Sequence, residues 1–202
     1  MARATGAGMS GTIWNIPNIL TLARIALIPV FLLIAYWPPA IGVYGHEGSL
    51  FRHGLLTGLF ILAALTDWLD GYLARVLNQT SAFGRFLDPV ADKLMVAAAL
   101  VVLVQWHPTI SMAFAAIVII SREITVSALR EWMAELGQRT SVAVSYVGKL
   151  KTTFQMISIS VFLLNWQPIE PLAYVLLYVA VLLTLWSMVI YLKAAWPYLK
   201  QP

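Results

Sequence analysis

The sequence predicts an all-α integral membrane protein with six transmembrane helices and a short N-terminal interfacial helix. Three observations carry that expectation. Of 202 residues, 60% are hydrophobic and only 11% are charged, whereas soluble domains carry about 25% charged residues. The apolar residues fall into six runs, near 18–37, 54–77, 85–105, 109–134, 142–165 and 170–193. Each approaches the roughly 20 residues that a helix needs to cross hydrocarbon. When the chain is folded at the breaks with its N-terminus inside, 12 of the 13 lysines and arginines share one side and Arg52 alone takes the other. Such an excess marks the cytoplasmic side, so both termini are expected there.

Along the chain, residues 1–11 are mostly small and are expected to be flexible; they lack the order of a signal peptide. The segment TIWNIPN, 12–18, reads as interfacial, with Trp14 at headgroup depth and Asn18 capping the first span. Breaks follow at Pro38-Pro39 with 42–48, at 78–81, at His107-Pro108, at 137–141 and at 168–171. Residues 12–202 therefore form one membrane domain, with no linker, repeat or separate soluble domain. Most of the eight tryptophans, Trp37, Trp106, Trp166 and Trp196 among them, fall at expected interfaces. Cysteine is absent, which excludes disulfide and thiolate chemistry. The net charge of +4 does not indicate nucleic acid, because no polar basic face exists to present to it.

The acidic residues are distributed unevenly. Four of nine lie within 67–93. The uninterrupted apolar part of the second span, 54–66, covers only about 20 Å at the helical rise, so Asp67 arrives at the cytoplasmic boundary. Asp67 and Asp70 are three apart and Asp88 and Asp92 four apart, which puts each pair on one helical face. A short polar turn joins the two helices, so the pairs can converge. Ionisable groups at membrane depth are costly and point to function. Two divalent cations would cancel four converging negative charges, and all-oxygen ligation favours Mg²⁺ or Mn²⁺. Gly71, Ala74 and Gly84 leave space around the carboxylates, and Arg75 offers a forked phosphate donor. Pro89 reads as a first-turn or kinking proline.

The pattern Asp67-x2-Asp70-Gly71-x2-Ala74-Arg75-x8-Gly84-x3-Asp88-x3-Asp92 resembles the signature of the CDP-alcohol phosphotransferase family at every position. The stretches NIPNILTLAR, SREITVSALREWMAELG and VGKLKTTFQM resemble bacterial members whose acceptor is glycerol 3-phosphate. The resemblance implies transfer of a phosphatidyl group from CDP-diacylglycerol to that acceptor, in the bacterial cytoplasmic (inner) membrane, by a homodimer. It also implies two metal ions on Asp67, Asp70 and Asp88, with Asp92 beside them as general base. The CDP-diacylglycerol would lie against Asn18, Thr21, Gly71, Ala74, Arg75, Ser81 and Gly84. Asn18 and Thr21 read equally well as a helix cap and an internal helix bond.

A second cationic group comprises Arg122, Arg130, Lys149 and Lys151. Arg122 sits between the apolar run FAAIVIIS and Glu123, and Arg130 follows eight residues later near the same face. An anionic acceptor needs fixed cations, which a neutral one such as choline or inositol does not. All four are candidate ligands of that acceptor, and Lys151 reads equally well as an orientation charge meeting lipid headgroups. Two alternatives stand beside this reading: the same chemistry with another acceptor, and a cation transporter using aspartates as relays. The transporter would need a polar path to the other side, which the spans lack. His46, His53 and His107 lie on that other side without metal-ligand spacing and receive no role.

Overall fold

Asn15 starts the first helix. Its extended backbone and its side chain, which accepts the Asn18 N–H at 2.9 Å, form an N-cap with Pro17 just inside; such a cap satisfies one of the donors a helix start leaves free. The computed structural model describes residues 15–37, 46–76, 82–137 and 146–199. Within these, side chains 46–48, 71, 74, 75, 82, 85, 146, 147, 149 and 199 are outside the description. The helices are α1 (Ile16–Tyr36), α2 (His46–Val76), α3 (Ala82–Trp106), α4 (Ile110–Glu135), α5 (Tyr146–Leu164) and α6 (Glu170–Leu199). A single 3-10 turn, Gln167–Ile169, leads into α6, and no strand occurs among the described residues.

The boundaries follow local chemistry. Thr109 caps α4 by accepting the Met112 N–H at 3.2 Å, directly after Pro108. Gly137, at φ 75°, ends α4 in the left-handed conformation that glycine adopts without strain. Two expectations change. The cap of α1 is Asn15, so Asn18 belongs to the first turn, and 15–18 form the start of α1 instead of a separate interfacial helix; Trp14 and residues 1–11, for which flexibility was expected, lie outside the described residues. Helix α2 begins at His46, eight residues ahead of the expected 54. Its early turns are held by tertiary contacts invisible in the local pattern. The buried His53 ring meets the Leu163 carbonyl at 3.1 Å and Asn165 at 3.3 Å, and stands edge-on to Trp106, over which Arg52 lies.

Among the described residues, four helical stretches are long and apolar enough to cross a membrane: Ile16–Tyr36, Ser49–Asp70, Ile110–Glu135 and Gln167–Tyr198. Helix α3 carries Arg85, Asp88, Asp92 and Lys93 in its first half. The apolar part of α5, Leu150–Leu164, is shorter than a spanning helix. Both nevertheless pack inside the bundle. Helix α3 touches α1, α2, α4 and α5, and α5 lies against α6 and α2. Phe31, Phe60, Leu100, Leu103, Met112, Ile119 and Phe162 fill the core between them. The outer surface is apolar too, with Leu33, Leu65, Ile117, Leu182 and Trp186 exposed on different helices. In water so much exposed apolar area would drive association; in lipid it is ordinary. The chain is a helical membrane protein.

Candidate active site

The N-terminal half of α1 turns Thr21 and Arg24 toward the aspartates, since residues three apart share a helical face. Arg24, only 1% exposed, spreads its guanidinium across α2: Nη1 donates to Asp67 Oδ1 and Nη2 to Asp70 Oδ2, each at 2.5 Å. A planar fork suits two carboxylates in this way. The Thr21 hydroxyl lies 2.7 Å from Asp88 Oδ1, 3.1 Å from the Pro17 carbonyl and 3.4 Å from Asp70 Oδ2. One proton serves one acceptor at a time, and the shortest contact ties α1 to α3. Thr21 thus contacts the cluster, with the Pro17 carbonyl within reach as an alternative acceptor. Asn18 is buried beside it and Gly84 is buried on α3. Ser81 and the side chains of Gly71, Ala74 and Arg75 lie outside the described residues.

Arg24 was legible in the sequence only as one of the orientation charges. It corrects the charge balance on which two cations were expected, because the carboxylates have a protein counter-charge. Among the described residues no three acidic or histidine side chains are grouped as a ready metal site. The donor chemistry nonetheless fits a hard divalent ion: Asp70 and Asp88 reach one hydroxyl, Asp67 and Asp70 one guanidinium, and every ligand atom is oxygen. Pro89 lies inside α3, well past its first turn.

Asp92, one turn beyond Asp88, faces a different space. It lines a cavity of about 240 Å³ together with Lys93, Arg122, Glu123, Arg130, Lys151 and Gln155. Asp67, Arg24, Glu123 and Lys151 are near enough to act electrostatically on its carboxylate. Three of the four cations in the second basic group therefore line the same cavity as Asp92; the Lys149 side chain lies outside the description. Lys151 is 3% exposed and ion-paired with Glu123, so it does not face lipid headgroups. Arg122 donates to Glu123 at 3.2 Å and to Ser187 at 2.9 Å. Arg130 donates to the Tyr191 hydroxyl. Both guanidiniums lie over the Tyr191 ring, at 5.5 Å for Arg122 and 4.7 Å for Arg130. The Nε of each arginine is buried without a hydrogen-bond partner. Tyr191, Ser187 and Gln155 had no signal in the sequence, being neutral residues inside apolar helices.

Fold and site together define a membrane-embedded helical enzyme with an acidic centre beside a cationic cavity. The family described as CDP-alcohol phosphatidyltransferase matches residues 14–186. A relative from Haemophilus influenzae is 50% identical over 183 residues, covering 90% of this chain and 94% of its own length. Relatives from Pectobacterium atrosepticum and Yersinia enterocolitica are each 49% identical, over 185 and 191 residues. They cover 90% and 93% of this chain and 95% and 98% of their own. All three are named CDP-diacylglycerol--glycerol-3-phosphate 3-phosphatidyltransferase. The chain belongs to the CDP-alcohol phosphatidyltransferase family.

Proposed function

We propose that the chain transfers the phosphatidyl group of CDP-diacylglycerol to glycerol 3-phosphate, releasing CMP and leaving phosphatidylglycerophosphate in the membrane. The relatives' name supports this reading, and one observation carries it: Asp92 shares its cavity with Arg122, Arg130 and Lys151. A phosphorylated alcohol requires both parts, a proton acceptor at its hydroxyl and fixed cations at its phosphate. Asp92 takes the hydroxyl proton while the oxygen attacks the phosphorus that bears diacylglycerol, and the bond from that phosphorus to CMP breaks. A carboxylate is a weak base, so its value lies in placement within hydrogen-bond reach. The cations hold the acceptor in position, which converts an encounter in solution into a reaction within one complex.

Thr21, Asn18 and Arg24 order the acidic centre from α1, with Gly71, Ala74, Arg75, Ser81 and Gly84 assigned to the nucleotide-lipid. Asp67, Asp70 and Asp88, with Asp92 adjacent, would hold two Mg²⁺ or Mn²⁺ ions, whose chemistry is to neutralise and polarise the pyrophosphate. Arg24 keeps Asp67 and Asp70 turned toward that centre. The bundle crosses the bacterial inner membrane six times with the site and both termini cytoplasmic, and works as a homodimer.

The test supplies CDP-diacylglycerol with glycerol 3-phosphate, glycerol, inositol or choline, then measures CMP and identifies the lipid. Product is expected with glycerol 3-phosphate alone, lost in EDTA and restored by Mg²⁺ or Mn²⁺. Equal CMP release with a neutral alcohol would overturn the acceptor assignment, and full turnover in EDTA the metal assignment.

A further inference from the structure

We propose that Gln155 binds the hydroxyl of glycerol 3-phosphate that does not react, and so selects a phosphorylated polyol over a phosphorylated simple alcohol. The proposal rests on the acceptor reading above and assigns a part of that cavity that no cation or base fills. Gln155 lies on α5 one turn after Lys151, is 2% exposed, and lines the cavity with Asp92. Its Oε1 is buried with no hydrogen-bond partner. Buried polar atoms are nearly always paired, so an orphan beside a ligand cavity calls for a partner that arrives with the ligand.

Charge sorts the groups around the cavity. The two other unpaired atoms on its lining residues, Nε of Arg122 and of Arg130, are donors and suit phosphate oxygens. Gln155 Oε1 is an acceptor, which a phosphate dianion cannot satisfy. The Lys151 ammonium is engaged by Glu123, and the Thr152 hydroxyl donates to the Gly148 carbonyl at 3.0 Å. Asp92 is taken by the reacting hydroxyl. The remaining donor on a three-carbon polyol phosphate is its second hydroxyl, and a neutral amide oxygen accepts it without repelling the phosphate nearby.

The experiment uses the full chain in mixed micelles with CDP-diacylglycerol and two acceptors, glycerol 3-phosphate and 3-hydroxypropyl phosphate. The second keeps the reacting hydroxyl and the phosphate but lacks the middle hydroxyl. Wild type should prefer glycerol 3-phosphate by at least about tenfold in kcat/KM, because a site that bonds a substrate hydroxyl rejects the analogue lacking it. Gln155→Leu and the near-isosteric Gln155→Met should each lower kcat/KM for glycerol 3-phosphate by about tenfold. They should leave 3-hydroxypropyl phosphate within about twofold, so the preference collapses. The analogue's rate also reports whether a variant is folded. A parallel loss on both acceptors would show a packing role and overturn the proposal. Equal use of the two acceptors by wild type would overturn it without any variant. Turnover of glycerol 3-phosphate with the preference intact in both variants would overturn Gln155 alone, whereas turnover of neither acceptor by wild type would overturn the underlying reading as well.

Discussion

All four aspartates of the chain fall within residues 67–92, yet they differ in what they touch. Asp70 is buried under Arg24, Asp67 is 43% exposed at its side chain, Asp88 meets Thr21, and Asp92 alone lines the cationic cavity. That difference separates their roles. Asp92→Asn keeps the shape and removes the proton acceptor, so kcat should fall by at least about 10²-fold while CDP-diacylglycerol binding changes less; near-normal kcat would place the base elsewhere. Arg24→Met removes the buried guanidinium that pairs with Asp67 and Asp70, and breaking such a pair costs about 3–5 kcal/mol. Denaturant unfolding in micelles reads that loss, and a change below about 1 kcal/mol would show that these ion pairs do not hold α1 to α2. The aspartates were legible because their spacing is local, three and four residues within single helices. Arg24 was not, since its partners lie 43 and 46 residues away and an arginine near a helix start also fits orientation bias.

At the scale of elements, the acceptor cavity depends on α6, a helix whose sequence carries almost no polar pattern. Tyr191 is 2% exposed and packs with Val126, Met133 and Ala195 where α4 and α6 meet. From there it supports both Arg122 and Arg130, so one ring holds two charges of α4 in register. A cation over an aromatic face is worth about 0.5–2 kcal/mol. Tyr191→Leu should therefore raise the glycerol 3-phosphate KM by roughly 2- to 30-fold, and Tyr191→Phe, which keeps the ring, by less. The KM for CDP-diacylglycerol should stay unchanged in both; if it moved equally, Tyr191 would support the whole bundle and not this cavity. The helices themselves were largely legible, since apolar runs and Pro or Gly breaks mark α1, α4, α5 and α6 within a few residues at most ends. The exceptions are informative. Helix α2 starts early because of the His53 contacts with α5 and its following turn. The end of α6 runs on through Pro197 to Leu199, past the last long apolar stretch.

For the whole molecule, the question is whether α3 and α5 cross the membrane or only α1, α2, α4 and α6 do. Charge counting alone is weaker than it looks, because Arg24, Arg122 and Lys151 are buried at the site and do not report orientation freely. Packing decides more. The start of α3, the latter half of α4 and the start of α5 all line one cavity. If α4 crosses and α3 stays on the cytoplasmic side, the latter half of α4 exits on the far face, away from Asp92. The proposed six crossings would let α3 and α4 run antiparallel through the same thickness, so that Asp92 and Arg130 meet in one cavity. The absence of cysteine makes a direct test convenient. Single variants Thr109→Cys and Gly137→Cys, probed with a membrane-impermeant maleimide, should behave oppositely. Residue 109, between α3 and α4, should label in intact cells after opening the outer membrane; residue 137, after α4, should label only in inside-out vesicles. Both variants should retain CMP-releasing activity, which certifies the fold being probed. The reverse pattern, 109 inside and 137 outside, is what four crossings require, and it would separate Asp92 from Arg130 and sink the shared acceptor cavity with them.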